Sequence, residues 1–182
     1  MVVLLAGLPG SGKSFFAGEL IKQHPDFLVY NKDVVRQFLF PGRYTDFSAE
    51  QNNLCVDIIL STIGYLYGKH PEKKFIIDGR TFSKQQQVLQ VTKKLDAWQI
   101  PWCFVKFVCS DETAKERIEG AIGSHEAGNR DYQLYLALKA EEEPLIVPSL
   151  TLETDDEDAL QERIERFLAY ISLMEGSPEV LL

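Results

Sequence analysis

Gly7, Gly12, Lys13 and Ser14 stand at the spacing G-x-x-x-x-G-K-S, with Leu8, Pro9, Gly10 and Ser11 between them. This is the signature of a phosphate-binding loop. The glycines let the backbone curl its N–H groups inward around an anion, where a Cβ would block several of the required dihedrals. The helix that follows adds unpaired N–H groups and the positive end of its dipole. Lys13 is then placed to reach β- and γ-phosphates, and the Ser14 hydroxyl to ligate Mg2+. The expected ligands are ATP and Mg2+.

Further candidates fall where apolar runs end in carboxylates. Asp78 closes Phe75-Ile76-Ile77, and a carboxylate at such a strand end organises Mg2+ in proteins with this loop. The alternative is a turn residue, since Asp-Gly is a common turn pair. Asp33 and Arg36 are three apart, so a helix starting there places both on one face. Asp33 could take a proton from an acceptor hydroxyl while Arg36 holds a neighbouring polar or anionic group. The bland reading of that pair is an N-cap and a surface arginine. Asp111 ends the fourth apolar run and reads as a helix cap.

These residues require strands to end beside the loop. Val2–Ala6 reads as a buried strand running into the loop, and a helix follows to about residue 23. Phe27–Tyr30, Lys74–Asp78, Trp102–Val108 and Leu150–Thr154 read as further strands. Helices are expected between them. Ser48 with Gln51 forms a capping-box pattern for a helix to about Gly68, its core stripe being Leu54, Cys55, Ile58, Ile59, Thr62 and Leu66. Ser83 is expected to cap the next helix, 111–120 and 132–140 form two more, and Leu160, Ile164, Phe167, Leu168 and Ile171 mark the last. Residues 122–130 lack periodicity and read as a mobile loop. Strands alternating with helices call for a parallel sheet covered on both faces, a three-layer α/β/α fold with about five strands. At 182 residues the chain is expected to be a single domain.

Composition narrows the function classes. The formal net charge of −8 argues against non-specific binding to nucleic acid or anionic lipid. Hydrophobic residues make up 45%, which excludes disorder, and no apolar run has the roughly 18 residues a membrane span needs. Three cysteines without C-x-x-C spacing read as thiols in a reducing cytoplasm rather than a disulfide framework or zinc site.

The phosphate loop, Asp33-x-x-Arg36 after the second strand and Ile76-Ile77-Asp78-Gly79 together resemble the small P-loop kinases, often labelled AAA-type ATPases. That group includes polynucleotide 5′-hydroxyl kinases, gluconate-type kinases, chloramphenicol phosphotransferases and zeta toxins. The resemblance implies a P-loop NTPase fold and an ATP- and Mg2+-dependent phosphotransferase. Asp33 then resembles the base, Arg36 its substrate-binding partner, and Asp78 a carboxylate of the ATP site. A lid is implied over about 117–131, where Arg117 would contact the nucleotide. Two departures stand out. Phe15 occupies the position at which these kinases commonly carry Ser or Thr on the α-phosphate, so one contact is absent. The lid shows no second arginine close to Arg117; Arg130 either moves in to serve catalysis or is an exposed loop residue paired with Asp131 or Glu126.

A switch GTPase does not fit, because Asn31-Lys32-Asp33-Val34 lacks the final carboxylate of N-K-x-D and lies too early. An AAA+ motor does not fit either, since Asp78 is followed by Gly79 rather than Glu. The remaining alternatives are an ATP-binding regulatory module without catalysis and a polynucleotide 5′-hydroxyl kinase. The acidic charge favours a small hydroxylated acceptor over a nucleic acid. Neither the acceptor nor the oligomeric state is legible.

Overall fold

A computed structural model describes residues 1–120 and 131–176. Its sheet contains β1 (Val2–Ala6), β2 (Phe27–Asn31), β3 (Lys74–Asp78), β4 (Trp102–Val108) and β5 (Ser149–Glu153). They lie in the order β2-β3-β1-β4-β5, and every neighbouring pair is parallel. Seven α-helices among the described residues cover it: α1 (Lys13–Gln23), α2 (Lys32–Leu39), α3 (Ala49–Tyr67), α4 (Gln85–Ala97), α5 (Asp111–Gly120), α6 (Tyr132–Ala140) and α7 (Leu160–Gly176). This is the α/β P-loop NTPase fold that the sequence led us to expect.

Parallel strands buried on both faces should be apolar throughout, and β1 is buried at all five positions. Its side chains alternate between two cores. Val3 and Leu5 pack with Phe16, Leu20, Phe167 and Ile171 of α1 and α7. Val2, Leu4 and Ala6 pack with Ile59, Ile63, Val91 and Leu95 of α3 and α4. Phe16 anchors α1 beneath the loop through ring contacts to Phe107 at 5.1 Å and Phe167 at 5.3 Å.

Several local expectations shift. The buried stripe of α3 is Cys55, Val56, Ile59, Leu60 and Ile63, while Leu54 and Ile58 are exposed. The helix is apolar over most of its circumference, so polar partners decide its rotation. Asp57 accepts from Lys94 at 2.7 Å and from Gln90 at 3.0 Å on α4, which turns Val56 and Leu60 inward. Ser83 does not cap α4: its hydroxyl pairs with Thr81 Oγ1 at 2.9 Å. Glu143 caps that helix from another segment, accepting from Gln85 N at 2.6 Å. Nor does Asp111 cap α5, since Ser110 Oγ accepts from Thr113 N at 3.2 Å. The Asp111 carboxylate instead accepts from Tyr135 Oη at 2.6 Å and pairs with Lys139, tying α5 to α6. The loop expected over 122–130, Arg130 included, lies outside the described residues.

Candidate active site

The phosphate loop joins β1 to α1 at the carboxyl edge of the sheet, where ligands bind in open parallel α/β folds. Gly7 has φ 140° and Gly10 has φ 80°. A Cβ on Gly7 would lie 2.4 Å from Phe107 O, and one on Gly10 would lie 2.7 Å from Ala114 O. Glycine is therefore required twice over at each position, for its dihedral and for the close approach of β4 and α5. Behind the loop, Thr154 Oγ1 donates to Ser11 O at 3.2 Å. Arg117 donates to Gly10 O at 3.4 Å and to Thr154 O at 2.6 Å.

Lys13 is buried within the curl. Its Nζ donates to Gly7 O at 2.6 Å, Leu8 O at 3.0 Å and Ser11 Oγ at 3.1 Å. The ammonium group thus points at the loop's own oxygens, at the place where phosphate oxygens compete for it.

Two cavities meet at Lys13 and Ser14. The first, about 340 Å³, is lined by Gly10, Gly12, Phe15, Arg117, Thr154 and Leu160 among others. Phe15 is 63% exposed and lines this cavity, an apolar side chain at the position where the sequence led us to expect the α-phosphate contact to be absent. The second, about 300 Å³, is lined by Lys32, Asp33, Arg36, Asn52, Asn53 and Arg80 among others.

Asn31 starts the helix that brings Lys32, Asp33 and Arg36 to the second cavity. It caps α2, Oδ1 accepting from Asp33 N at 2.8 Å and Val34 N at 3.2 Å. Its Nδ2 donates to Asp78 Oδ2 at 2.8 Å. Asp33 is therefore not the cap, and its carboxylate is available for other work. Lys32 Nζ lies 2.9 Å and Arg36 Nη1 2.6 Å from the same oxygen, Asp33 Oδ1. Asp33 Oδ2 has no hydrogen bond among the described residues. Burial raises the Asp33 carboxyl, yet the Lys32 and Arg36 charges outweigh it and hold the group below the usual carboxylate range. Burial pulls the Lys32 ammonium down against the pull of Asp33. Asn52 of α3 accepts from Lys32 at 2.7 Å and also from Arg36, whose guanidinium stacks on Phe47 at 5.2 Å.

Arg80 was not visible as a site residue, and nothing local marks it. It is 6% exposed, donates to Asn53 Oδ1 at 2.8 Å and lies 5.9 Å from the Phe82 ring. It forms no ion pair among the described residues. Burial lowers its pKa to about 10. An unpaired buried charge costs several kcal/mol, which a cation–π contact of about 0.5–2 kcal/mol does not offset. Lys32 and Thr154 were likewise missed; each follows directly on a strand's carboxyl end, the one signal that could have singled them out.

Asp78 supplies the test for a metal. Its Oδ1 is buried and has no hydrogen-bond partner among the described residues. A bare carboxylate oxygen at such a place suits the hydrated shell of a hard cation such as Mg2+. With the Ser14 hydroxyl beside the cavities, the residues fit the ion.

A comparison with curated proteins finds no match. Solved structures with the same fold include a protein of Chloroflexus aurantiacus J-10-fl provisionally assigned as a kinase, 15% identical over 94% of this chain and 95% of that one, TM-score 0.71. The gluconokinase of Sinorhizobium meliloti 1021 is 13% identical over 96% and 94%, TM-score 0.67. The Mycobacterium tuberculosis APS kinase CysC, in complex with AMPPNP and APS, is 16% identical over 94% and 96%, TM-score 0.65. At these identities the likeness establishes the fold. A family model described as an AAA domain matches residues 2–122, so the chain belongs to the AAA domain family.

Proposed function

We propose that the chain is an ATP- and Mg2+-dependent phosphotransferase that acts in the cytoplasm on a hydroxyl group of a small molecule. One observation carries the reading: an ionised carboxylate, Asp33, lines the same cavity as Lys13 and Ser14 and keeps one oxygen without a partner among the described residues. In this reading the curl and Lys13 hold the β- and γ-phosphates. Arg117 and Phe15 flank the rest of the nucleotide in the first cavity. The acceptor oxygen forms a bond to the γ-phosphorus as the bond to the β,γ-bridging oxygen breaks, ADP leaves, and the hydroxyl proton passes to Asp33 Oδ2. Mg2+, held by Ser14 and Asp78, supplies charge neutralisation at the phosphates. Asp33 is a weak base, which suits a loose transition state in which positioning outweighs proton abstraction. The acceptor and the role of Arg130 belong to the same proposal.

Exposed Phe15 favours a second reading, an ATP-binding module without transfer. A crystal structure with Mg-AMPPNP bears on both. The kinase reading expects the γ-phosphate at Lys13 Nζ with its free face toward Asp33. A triphosphate turned away from the second cavity supports the module.

A further inference from the structure

The second cavity carries more positive charge than transfer to a neutral alcohol needs. Four cations line it, Lys13, Lys32, Arg36 and Arg80, against one carboxylate, Asp33. In a chain with a formal net charge of −8 this is a local reversal of sign. Lys13 serves the nucleotide, and Lys32 and one arm of Arg36 are taken up by Asp33. What remains, among the described residues, is Arg80 without an ion pair, and two buried N–H groups without a hydrogen-bond partner, Arg36 Nε and Arg80 Nη1. Both arginines are more than nine-tenths buried, at 2% and 6% exposure. Buried guanidinium donors without a partner, on residues that line a cavity, suit a planar or tetrahedral oxyanion.

Resting on the kinase reading, we infer that the acceptor is a small molecule bearing a phosphate, sulfate or carboxylate group beside its hydroxyl, with that anion seated on Arg80 and Arg36 Nε. Asn53 fixes the orientation of Arg80 from α3, and Asn52 does the same for Arg36. The anion thereby holds the acceptor by its far end while the hydroxyl meets Asp33. Asn52, Asn53, Thr81 and Gln87 also line the cavity and offer amide and hydroxyl partners to a polar carbon skeleton. A space of about 300 Å³ suits a metabolite rather than a strand, which needs an open groove.

The phosphate loop also binds inorganic anions, so it is filled first. Protein saturated with Mg-AMPPNP is titrated with inorganic phosphate by calorimetry, for the wild type, Arg80→Gln and Arg80→Lys. The inference expects saturable binding to the wild type, at least tenfold weaker in Arg80→Gln and partly recovered in Arg80→Lys. AMPPNP affinity should stay within twofold in all three, which also reports that the variants fold. Competition by inorganic sulfate and by acetate then tells which oxyanion the seat prefers. In transfer assays with labelled ATP, glycerol 3-phosphate and gluconate should accept label where glycerol and sorbitol do not. The inference is overturned if loaded wild type ignores phosphate, sulfate and acetate alike, or if Arg80→Gln binds them as the wild type does. It is equally overturned if a 5′-hydroxyl oligonucleotide displaces phosphate better than glycerol 3-phosphate. Failure of AMPPNP to bind would strike the kinase reading instead. Phosphate titrated into Lys13→Ala, which lacks the loop's cation, then still reads the arginine seat.

Discussion

Asn31 Nδ2 donates to Asp78 Oδ2 at 2.8 Å, joining the carboxyl ends of β2 and β3, which are register partners. The same side chain caps α2. One residue thus fixes both the proposed proton acceptor, through α2, and the carboxylate proposed for the metal. Asn31→Ala should cost about 1–2 kcal/mol from the cap alone, measured by urea denaturation. Asn31→Asp retains a capping oxygen but sets two carboxylates face to face, so it should recover part of that stability while its Mg2+ dependence changes.

Lys13→Ala should weaken Mg-AMPPNP binding by about 100-fold, near 2.7 kcal/mol, while the thermal midpoint without ligand moves little. Isothermal titration checks this. Unchanged affinity would remove Lys13 from the phosphate site.

Asp33→Asn leaves Lys32 and Arg36 facing a neutral group and should destabilise the fold by about 3 kcal/mol. Because the Asp33 pKa is depressed on folding, its contribution is present in full above the ordinary carboxylate range. It is lost as pH falls through the lower folded value. The stability gap between wild type and Asp33→Asn should therefore be constant from about pH 8 down to about pH 5 and shrink below that. A gap that instead grew on acidification would contradict the depressed pKa.

Gly10→Ala forces a Cβ onto Ala114 of α5 at a φ of 80°. Strain of about 1–3 kcal/mol is expected, and the loop should open to relieve it. Both the thermal midpoint and AMPPNP affinity should fall, where Gly18→Ala, at a position with open space, should be neutral or slightly stabilising.

The loop, β1 and the strand ends were legible because their signals are local: glycines at fixed spacing, short apolar runs, and Asp78 closing β3. The strand bounds of β1, β3 and β4 agree with the structure residue for residue. What was hidden depends on contacts between elements. Lys32 and Arg80 were not singled out in the sequence; both are buried, and each donates to an asparagine of α3, Asn52 and Asn53. The rotation of α3 could not be read from a helix with apolar residues on nearly every side. Asp111 has the residue type and position of a cap, but Tyr135 and Lys139, more than 20 residues on, take it away. Thr154 gained its place behind the loop only when β5 joined β4.

Phosphoryl transfer is measured most directly in a single turnover with γ-labelled ATP and Mg2+, against pooled hydroxylated metabolites and 5′-hydroxyl oligonucleotides. The account predicts label on a small acceptor, formed at least 100-fold more slowly by Asp33→Asn. ATP bound at the loop with label passed to no acceptor would contradict it.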